Sequence, residues 1–148
     1  MSEKFSRTEL LIGQKAIEKL SKSRVAVFGV GGVGGYVVEA LVRSGVGELD
    51  LIDNDIVAES NINRQIIATS KTVGMSKVEA AKNRILDINP DIKVNVHQVF
   101  YTPETAGMFN FAEYDYVVDA IDTVVGKLQL IEEAKINNIP VICAMGAG

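Results

Sequence analysis

Two cations and three carboxylates in this sequence are of the types that handle phosphate and metal chemistry. Arg64 and Lys77 are the cations, Asp53, Asp55 and Asp122 the carboxylates, and the amides Asn61 and Gln65 flank Arg64. A guanidinium offers phosphate oxygens a planar fork, and an ammonium offers a point charge. A carboxylate oxygen is a hard ligand suited to Mg²⁺. Ahead of them, Gly29-Val30-Gly31-Gly32-Val33-Gly34 matches the pattern G-x-G-x-x-G. Glycine without a Cβ lets the chain turn tightly and brings backbone N–H groups at a helix start close to a phosphate. Asp53 follows Gly34 by 53 − 34 = 19 residues, the offset of a ribose-binding carboxylate in dinucleotide folds.

Taken alone, the glycine loop favours NAD(P), its commoner ligand. The charged residues shift the reading to ATP. A dinucleotide pyrophosphate is held by the helix N-terminus and asks for no further cations. A triphosphate carries about four charges, and attack at its α-phosphorus builds charge on departing pyrophosphate that cations and a metal offset. Each residue also has a plain alternative: Arg64 as a surface salt bridge, Lys77 as a solvated first-turn residue, Asp122 as a helix N-cap. Lys77 is the most telling, because a lysine in a first turn opposes the helix dipole unless an anion binds there.

These residues need a scaffold that gathers them. Arg24–Phe28 is an unbroken apolar run, as expected of a strand buried on both faces, and Glu48–Asp53 reads as a second buried strand ending in Asp53. Between them Tyr36, Glu39, Ala40, Leu41 and Arg43 read as a helix stopped by Gly45 and Gly47. Ser76–Asn89 reads as a helix with Val78, Ala81, Ile85 and Ile88 on one face, ended by Pro90. Ile92–Val99 alternates like a strand, and Thr102-Pro103 reads as an N-cap followed by a helix-starting proline. A strand at Tyr116–Ile121, a helix at about Thr123–Asn138 and a buried strand at Pro140–Ala144 complete the pattern. The opening segment, with Leu10, Leu11, Ala16, Ile17 and Leu20, suits an amphipathic helical pair broken near Gly13. Alternating strands and helices predict an α/β, Rossmann-like, doubly wound and mostly parallel sheet of about five strands. Its binding site belongs at the carboxyl ends of the strands.

The 148 residues fit one domain. A net charge of −4 gives no basic footprint for nucleic acid or an anionic membrane. No apolar run approaches the ~20 residues needed to span a bilayer. The single cysteine, Cys143, excludes an internal disulfide and a cysteine-based zinc site, and suits a reducing cytoplasm. Cys143 is expected in the core and His97, the single histidine, in a structural role. The chain breaks off directly after an apolar run, so residues 1–148 are expected to be the N-terminal part of a longer chain.

The motifs also occur together in a recognisable order: Gly29-x-Gly31-Gly32-x-Gly34, Asp53-x-Asp55, Ser60-Asn61-Ile62-Asn63-Arg64-Gln65, Gly74-Met75-Ser76-Lys77 and Asp119-Ala120-Ile121-Asp122. This run resembles the ThiF/MoeB/HesA superfamily of ubiquitin-activating-like adenylating enzymes, over nearly the whole chain. Within it, Phe5-Ser6-Arg7-Thr8-Glu9-Leu10-Leu11-Ile12-Gly13, Asp122-Thr123 with Lys127, and the closing Gly146-Ala147-Gly148 are similar to the tRNA threonylcarbamoyladenosine dehydratases. Sulfur-carrier activators usually show Thr-Asp-Asn and a later arginine where this chain has Ile121-Asp122-Thr123 and Lys127.

The resemblance implies that Gly31, Gly32 and Gly34 cradle phosphates and that Asp53 binds ribose. It implies that Asn61, Arg64 and Lys77 hold the triphosphate and that Asp122 holds Mg²⁺. Arg7 matches an arginine that reaches the neighbouring subunit's ATP in homodimers. The implied reaction adenylates a carboxylate on tRNA, with the tRNA-binding surface in further chain. Adenylation of a ubiquitin-like sulfur-carrier protein's C-terminal glycine is the nearest alternative, and an NAD-dependent oxidoreductase a more distant one.

Overall fold

The computed structural model describes residues 3–145; the Gly146-Ala147-Gly148 element of the resemblance lies outside them. Helices α1 (Ser6–Ile12) and α2 (Gln14–Ser21) lead into strand β1 (Arg24–Phe28). Helix α3 (Gly34–Ser44), strand β2 (Glu48–Ile52), helix α4 (Lys77–Ile88) and strand β3 (Lys93–His97) follow. Strand β4 (Tyr116–Asp119), helix α5 (Val124–Ile136) and strand β5 (Val141–Cys143) come last. The five strands form one parallel sheet in the order β3-β2-β1-β4-β5. This is the doubly wound arrangement expected from the sequence.

The burial of both sheet faces explains the apolar strand runs. Val25, Val27, Leu49 and Leu51 face one side, with Val38 and Val42 of α3 and Val78, Ala81 and Ile85 of α4. Ala26, Phe28, Ile52 and Val117 face the other, packed on Leu130 of α5 and on Tyr101, Phe109, Phe111 and Tyr114. Gly45 closes α3 in the left-handed conformation at φ 94°, as a helix-stopping glycine does. Ser76 caps α4 by accepting the Glu79 N–H.

Three expectations are corrected. Thr102-Pro103 starts no α-helix: the chain turns through residues 103–105 and makes short 3₁₀ turns at Ala106–Met108 and Phe111–Glu113. Here the chain buries four aromatic rings at irregular spacing, among them Phe111 stacked 5.8 Å from Phe28, and no single helix face could deliver them all. Strand β5 is not buried, since it lies at the sheet edge with Ile142 exposed and Cys143 half-buried. The helical pair forms, with Ile17 buried, but Leu10 and Leu11 stand exposed.

In the middle of β2, in register with Ala26 of β1 and Asn95 of β3, Asp50 is fully buried. It accepts hydrogen bonds from Arg24 at 2.8 and 3.0 Å and from Asn95 at 3.0 Å, and sits 3.0 Å from His97 Nε2. Burial pushes the carboxyl up, but the bonds from His97, Arg24 and Asn95 outweigh it and hold the group at about 2 against an ordinary 3.8. His97 therefore has a structural role, as expected. A carboxylate with a depressed folded-state pKa stabilises the fold above its unfolded value and loses that contribution as pH falls through the folded one. The Asp50 contribution, on the order of 2 kcal/mol, is expected to disappear between about pH 5 and pH 2. Urea midpoints against pH, compared with Asp50→Asn, check this; parallel curves for the two proteins would contradict it.

Candidate active site

The chain leaves β1 and β4 in two turns that meet at the centre of the sheet. Connections from β1 run to one side and those from β4 to the other, so this is the switch point at which doubly wound folds bind ligands. Gly29, at φ +92°, passes so close to the 120–123 turn that a Cβ there would strike the Ala120 carbonyl. A Cβ on Gly34 would strike the Gly29 carbonyl oxygen. These two glycines thus serve the turn itself. Gly31 and Gly32 are different, since a Cβ on either would meet only ordinary contacts with Gln65 and Arg64, at 3.6 and 3.9 Å. Their amides have no protein acceptor among the described residues and precede the start of α3, where a helix attracts anions.

A cavity of about 610 Å³ opens above these turns, a size that suits a nucleotide. Gly29, Gly31, Gly32, Asp53 and Asp55 line it on the β1 and β2 side. Arg64 and Gln65 come from the long loop after β2, Lys77 from the first turn of α4, and Asp122 from the turn after β4. Gly34, Asn61 and Arg7 do not line it. Asn61 is buried beneath the loop, where its Oδ1 accepts the Ala58 N–H at 2.9 Å. Arg7 is exposed on α1.

The side chains are held in distinct ways. Asp53 accepts the Val30 N–H and the Asp55 N–H, both at 2.8 Å, and so ties the glycine loop to the end of β2. Lys77 is buried, yet among the described residues its Nζ has a single long polar contact, 3.4 Å to Asp55 Oδ2. Two of its three donors therefore stay available. Arg64 donates to Ser60 O at 3.0 Å and Asn63 Oδ1 at 2.9 Å through Nη1, leaving its other nitrogens open to the cavity. Asp122 is exposed and has no hydrogen bond or ion pair among the described residues; Thr123 rather than Asp122 occupies the N-cap position of α5. No cluster of three metal-ligating side chains exists among the described residues. A lone free carboxylate still fits Mg²⁺, which commonly takes one or two carboxylates with phosphates and water.

Sequence reasoning missed part of the wall. Val99, Phe100 and Tyr101 line the cavity beyond β3. They carry no chemistry that singles them out, although the strand-end rule that found Asp53 and Asp122 also covers them. Burial pushes the Tyr101 phenol well above its usual range, so it stays neutral. Burial and the negative charge of neighbouring Asp119 push the Cys143 thiol up as well, which makes it a poor nucleophile.

The profile of the ThiF family matches residues 5–148. The chain belongs to the ThiF family. Among ThiF relatives, the tRNA threonylcarbamoyladenosine dehydratase of Bacillus subtilis (strain 168) is 49% identical over 147 residues, covering 99% of this chain and 58% of that protein. A crystal structure of the Escherichia coli tRNA N6-threonylcarbamoyladenosine dehydratase, TcdA, in complex with ATP superposes with a TM-score of 0.95 at 41% identity, covering 99% of this chain and 60% of that one. The adenylyltransferase and sulfurtransferase UBA4 of Candida glabrata is 40% identical over 88% of this chain and 30% of its own length. The ThiF chain described here thus spans a little over half the length of the dehydratases it matches. No helix among its described residues is long and apolar enough to cross a membrane.

Proposed function

We propose that this chain is the nucleotide-binding unit of an ATP-dependent adenylating enzyme that dehydrates and cyclises the threonylcarbamoyl group of tRNA threonylcarbamoyladenosine. The observation that carries the reading is the gathering of Arg64, Lys77 and Asp122 around the free Gly31 and Gly32 amides in one cavity. A nucleotide phosphate seated on those amides faces both cations and a free carboxylate. The 49% identity to a dehydratase and the likeness to an ATP-bound one support the substrate.

In this reading the tRNA-borne carboxylate attacks the α-phosphorus of ATP and pyrophosphate leaves. The neighbouring carbamoyl group then captures the activated carbonyl, and AMP departs. The net loss is one water, driven by ATP. Arg64 and Lys77 hold the phosphates and offset the charge that builds on pyrophosphate. Asp53 binds the ribose, and Val99 and Phe100 give the base an apolar wall. Asp122 would hold Mg²⁺ against the phosphates, and the ion would supply further positive charge there. Ring closure is an intramolecular step favoured by proximity, and neither Cys143 nor any other nucleophile of this chain is needed.

A homodimer is part of this reading, and by charge counting a further cation would be useful at the site. Arg64 and Lys77 against Asp53, Asp55 and Asp122 give the lining 2 − 3 = −1. A triphosphate of about −4 needs more than one Mg²⁺ ion to balance that, and Arg7 of a second copy is the cation we assign. The tRNA surface lies in chain beyond these residues, since this segment carries a net charge of −4. A cytoplasmic location is compatible with these substrates.

Similarity to UBA4 favours one second reading, adenylation of a carrier protein's C-terminal glycine. Pyrophosphate release by the full-length protein separates the two. Release with tRNA bearing threonylcarbamoyladenosine is expected. Release with carrier proteins alone selects the second reading. Tight NAD binding with no preference for ATP would sink both.

A further inference from the structure

Lys127 was notable in the sequence only as part of a pattern, and it lies outside the cavity wall. In the structure it is buried, and its Nζ donates to Asp119 Oδ1 at 3.1 Å and to the Ala144 carbonyl at 2.9 Å. Asp119 is fully buried at the end of β4, in register with Phe28 of β1 and Cys143 of β5. The oxygen that meets Lys127 also accepts the Ile121 N–H at 3.2 Å. The other oxygen, Oδ2, is buried with no hydrogen-bond partner among the described residues. The Asp119 carbonyl accepts the Ala144 N–H at 2.8 Å. One ammonium thus ties three pieces of backbone: the end of β4, the turn that carries Asp122, and the chain leaving β5.

A buried ion pair with an unsatisfied oxygen is a poor device for stability, because desolvation of both charges offsets their attraction. The value of this pair must be sought in what it holds. The Lys127 bond to Asp119 falls directly beside the cavity-lining turn Ala120–Thr123, and its bond to Ala144 anchors that end of β4 to the chain leaving β5. The same turn is pressed from the other side by α5: a Cβ on Gly126 would come within 2.7 Å of Ile121 Cδ1 and Thr123 Oγ1. It also abuts the glycine loop through Ala120 and Gly29. A shift of the 120–123 turn would therefore move Asp122 and disturb the phosphate cradle together.

We infer that Lys127, acting through Asp119, is a positioning residue that fixes the Asp122 turn against the glycine loop. The catalytic part of this claim rests on the adenylation reading; the structural part does not. Lys127 touches no substrate.

The test is made on the full-length protein with Lys127→Met, Lys127→Arg and the double variant Asp119→Asn/Lys127→Met. Amide hydrogen exchange on the unliganded protein comes first. In Lys127→Met, exchange across 120–123 and at Ala144 is expected to quicken about tenfold, with β2 and β3 unchanged. Unchanged exchange at 120–123 overturns the inference, and this readout stands even if the unsubstituted protein releases no pyrophosphate, a result that would sink the adenylation reading alone. Where release occurs, Lys127→Met is expected to lower kcat about 30-fold and raise the half-saturating Mg²⁺ about tenfold, with the KM for ATP within about threefold. Lys127→Arg, which keeps charge and donors, is expected to stay within about fivefold of the parent. The double variant removes the unpaired charge and is expected to regain melting temperature but not kcat. Recovery of both, or equal loss in the Arg and Met variants, assigns Lys127 a purely structural role and overturns the inference.

Discussion

Replacing Lys77 with methionine is expected to cut pyrophosphate release by about 10²–10³-fold while leaving the unliganded protein at least as stable as before. Two features of the side chain set this pair of effects. Lys77 is buried in the first turn of α4, where its charge opposes the helix dipole. Its one partner among the described residues, Asp55, stands 3.4 Å away with its own side chain 62% exposed. Removing the ammonium therefore leaves Asp55 in water, not stranded in the core. Methionine fills the same slot and relieves a dipole conflict worth ~0.3–1 kcal/mol. The loss falls almost wholly on the liganded state, where the spare donors of Lys77 would meet a phosphate. Single-turnover release and thermal melts of the unliganded protein, measured on the same samples, check both halves. A Lys77→Met protein that melts several degrees lower, or that keeps activity within tenfold, would mean that the lysine serves the fold and not the nucleotide.

The contrast between Lys77 and Lys127 also shows what a sequence discloses. Lys77 is legible because a lysine at the start of a well-marked helix breaks a local rule, and a broken local rule asks for a ligand. Asp53 and Asp122 are legible because apolar strands end at or just before them, and strand ends converge on one side of a parallel sheet. The Asp119–Lys127 pair breaks no local rule. Its partners are eight residues apart, one on a strand and one on a helix, and only the packing of α5 on β4 brings them to 3.1 Å. Asn61 shows the opposite limit. It shares a motif with Arg64 and Gln65, but the loop turns it inward to Ala58 while its neighbours face the cavity.

The fold divides in the same way. Strand β1 and helices α3 and α4 follow from an unbroken apolar run, period and glycine punctuation, because burial on both sheet faces selects apolar residues, whereas β2 carries the buried Asp50 in its middle. The segment from Val99 to Tyr114 has no period to read. Its structure comes from aromatic rings filling space over Phe28, a constraint visible only once the sheet exists. Strand β5 misleads for a related reason: an apolar run looks the same at an edge as in the centre, and the strand order decides which it is.

Gly34→Ala is expected to destabilise the fold where ordinary helix propensity says it should stabilise it. Position 34 opens α3, and alanine is favoured over glycine in a helix by ~1 kcal/mol. The backbone here has an ordinary negative φ, so conformation gives no reason for glycine. Space does. An added Cβ would overlap the Gly29 carbonyl oxygen, which is backbone and cannot swing aside as a side chain would. The β1–α3 turn must open, and Gly29 in turn presses on Ala120. Overpacking of this kind costs ~1–3 kcal/mol and occasionally more, enough to reverse the propensity gain. Gly31→Ala provides the control within the same loop. Its Cβ would meet only the end of the Gln65 side chain, at 3.6 Å or more, so the fold should keep its stability to within ~0.5 kcal/mol. The new methyl instead narrows the cavity where the free amides face it, and ATP–Mg²⁺ affinity should fall at least about tenfold. Urea midpoints and calorimetric titration on the two variants separate these effects. Gly34 is thus expected to lose folding and binding together, and Gly31 binding alone. If the two variants behaved alike, the division between glycines that shape the turn and glycines that admit the phosphate would be lost.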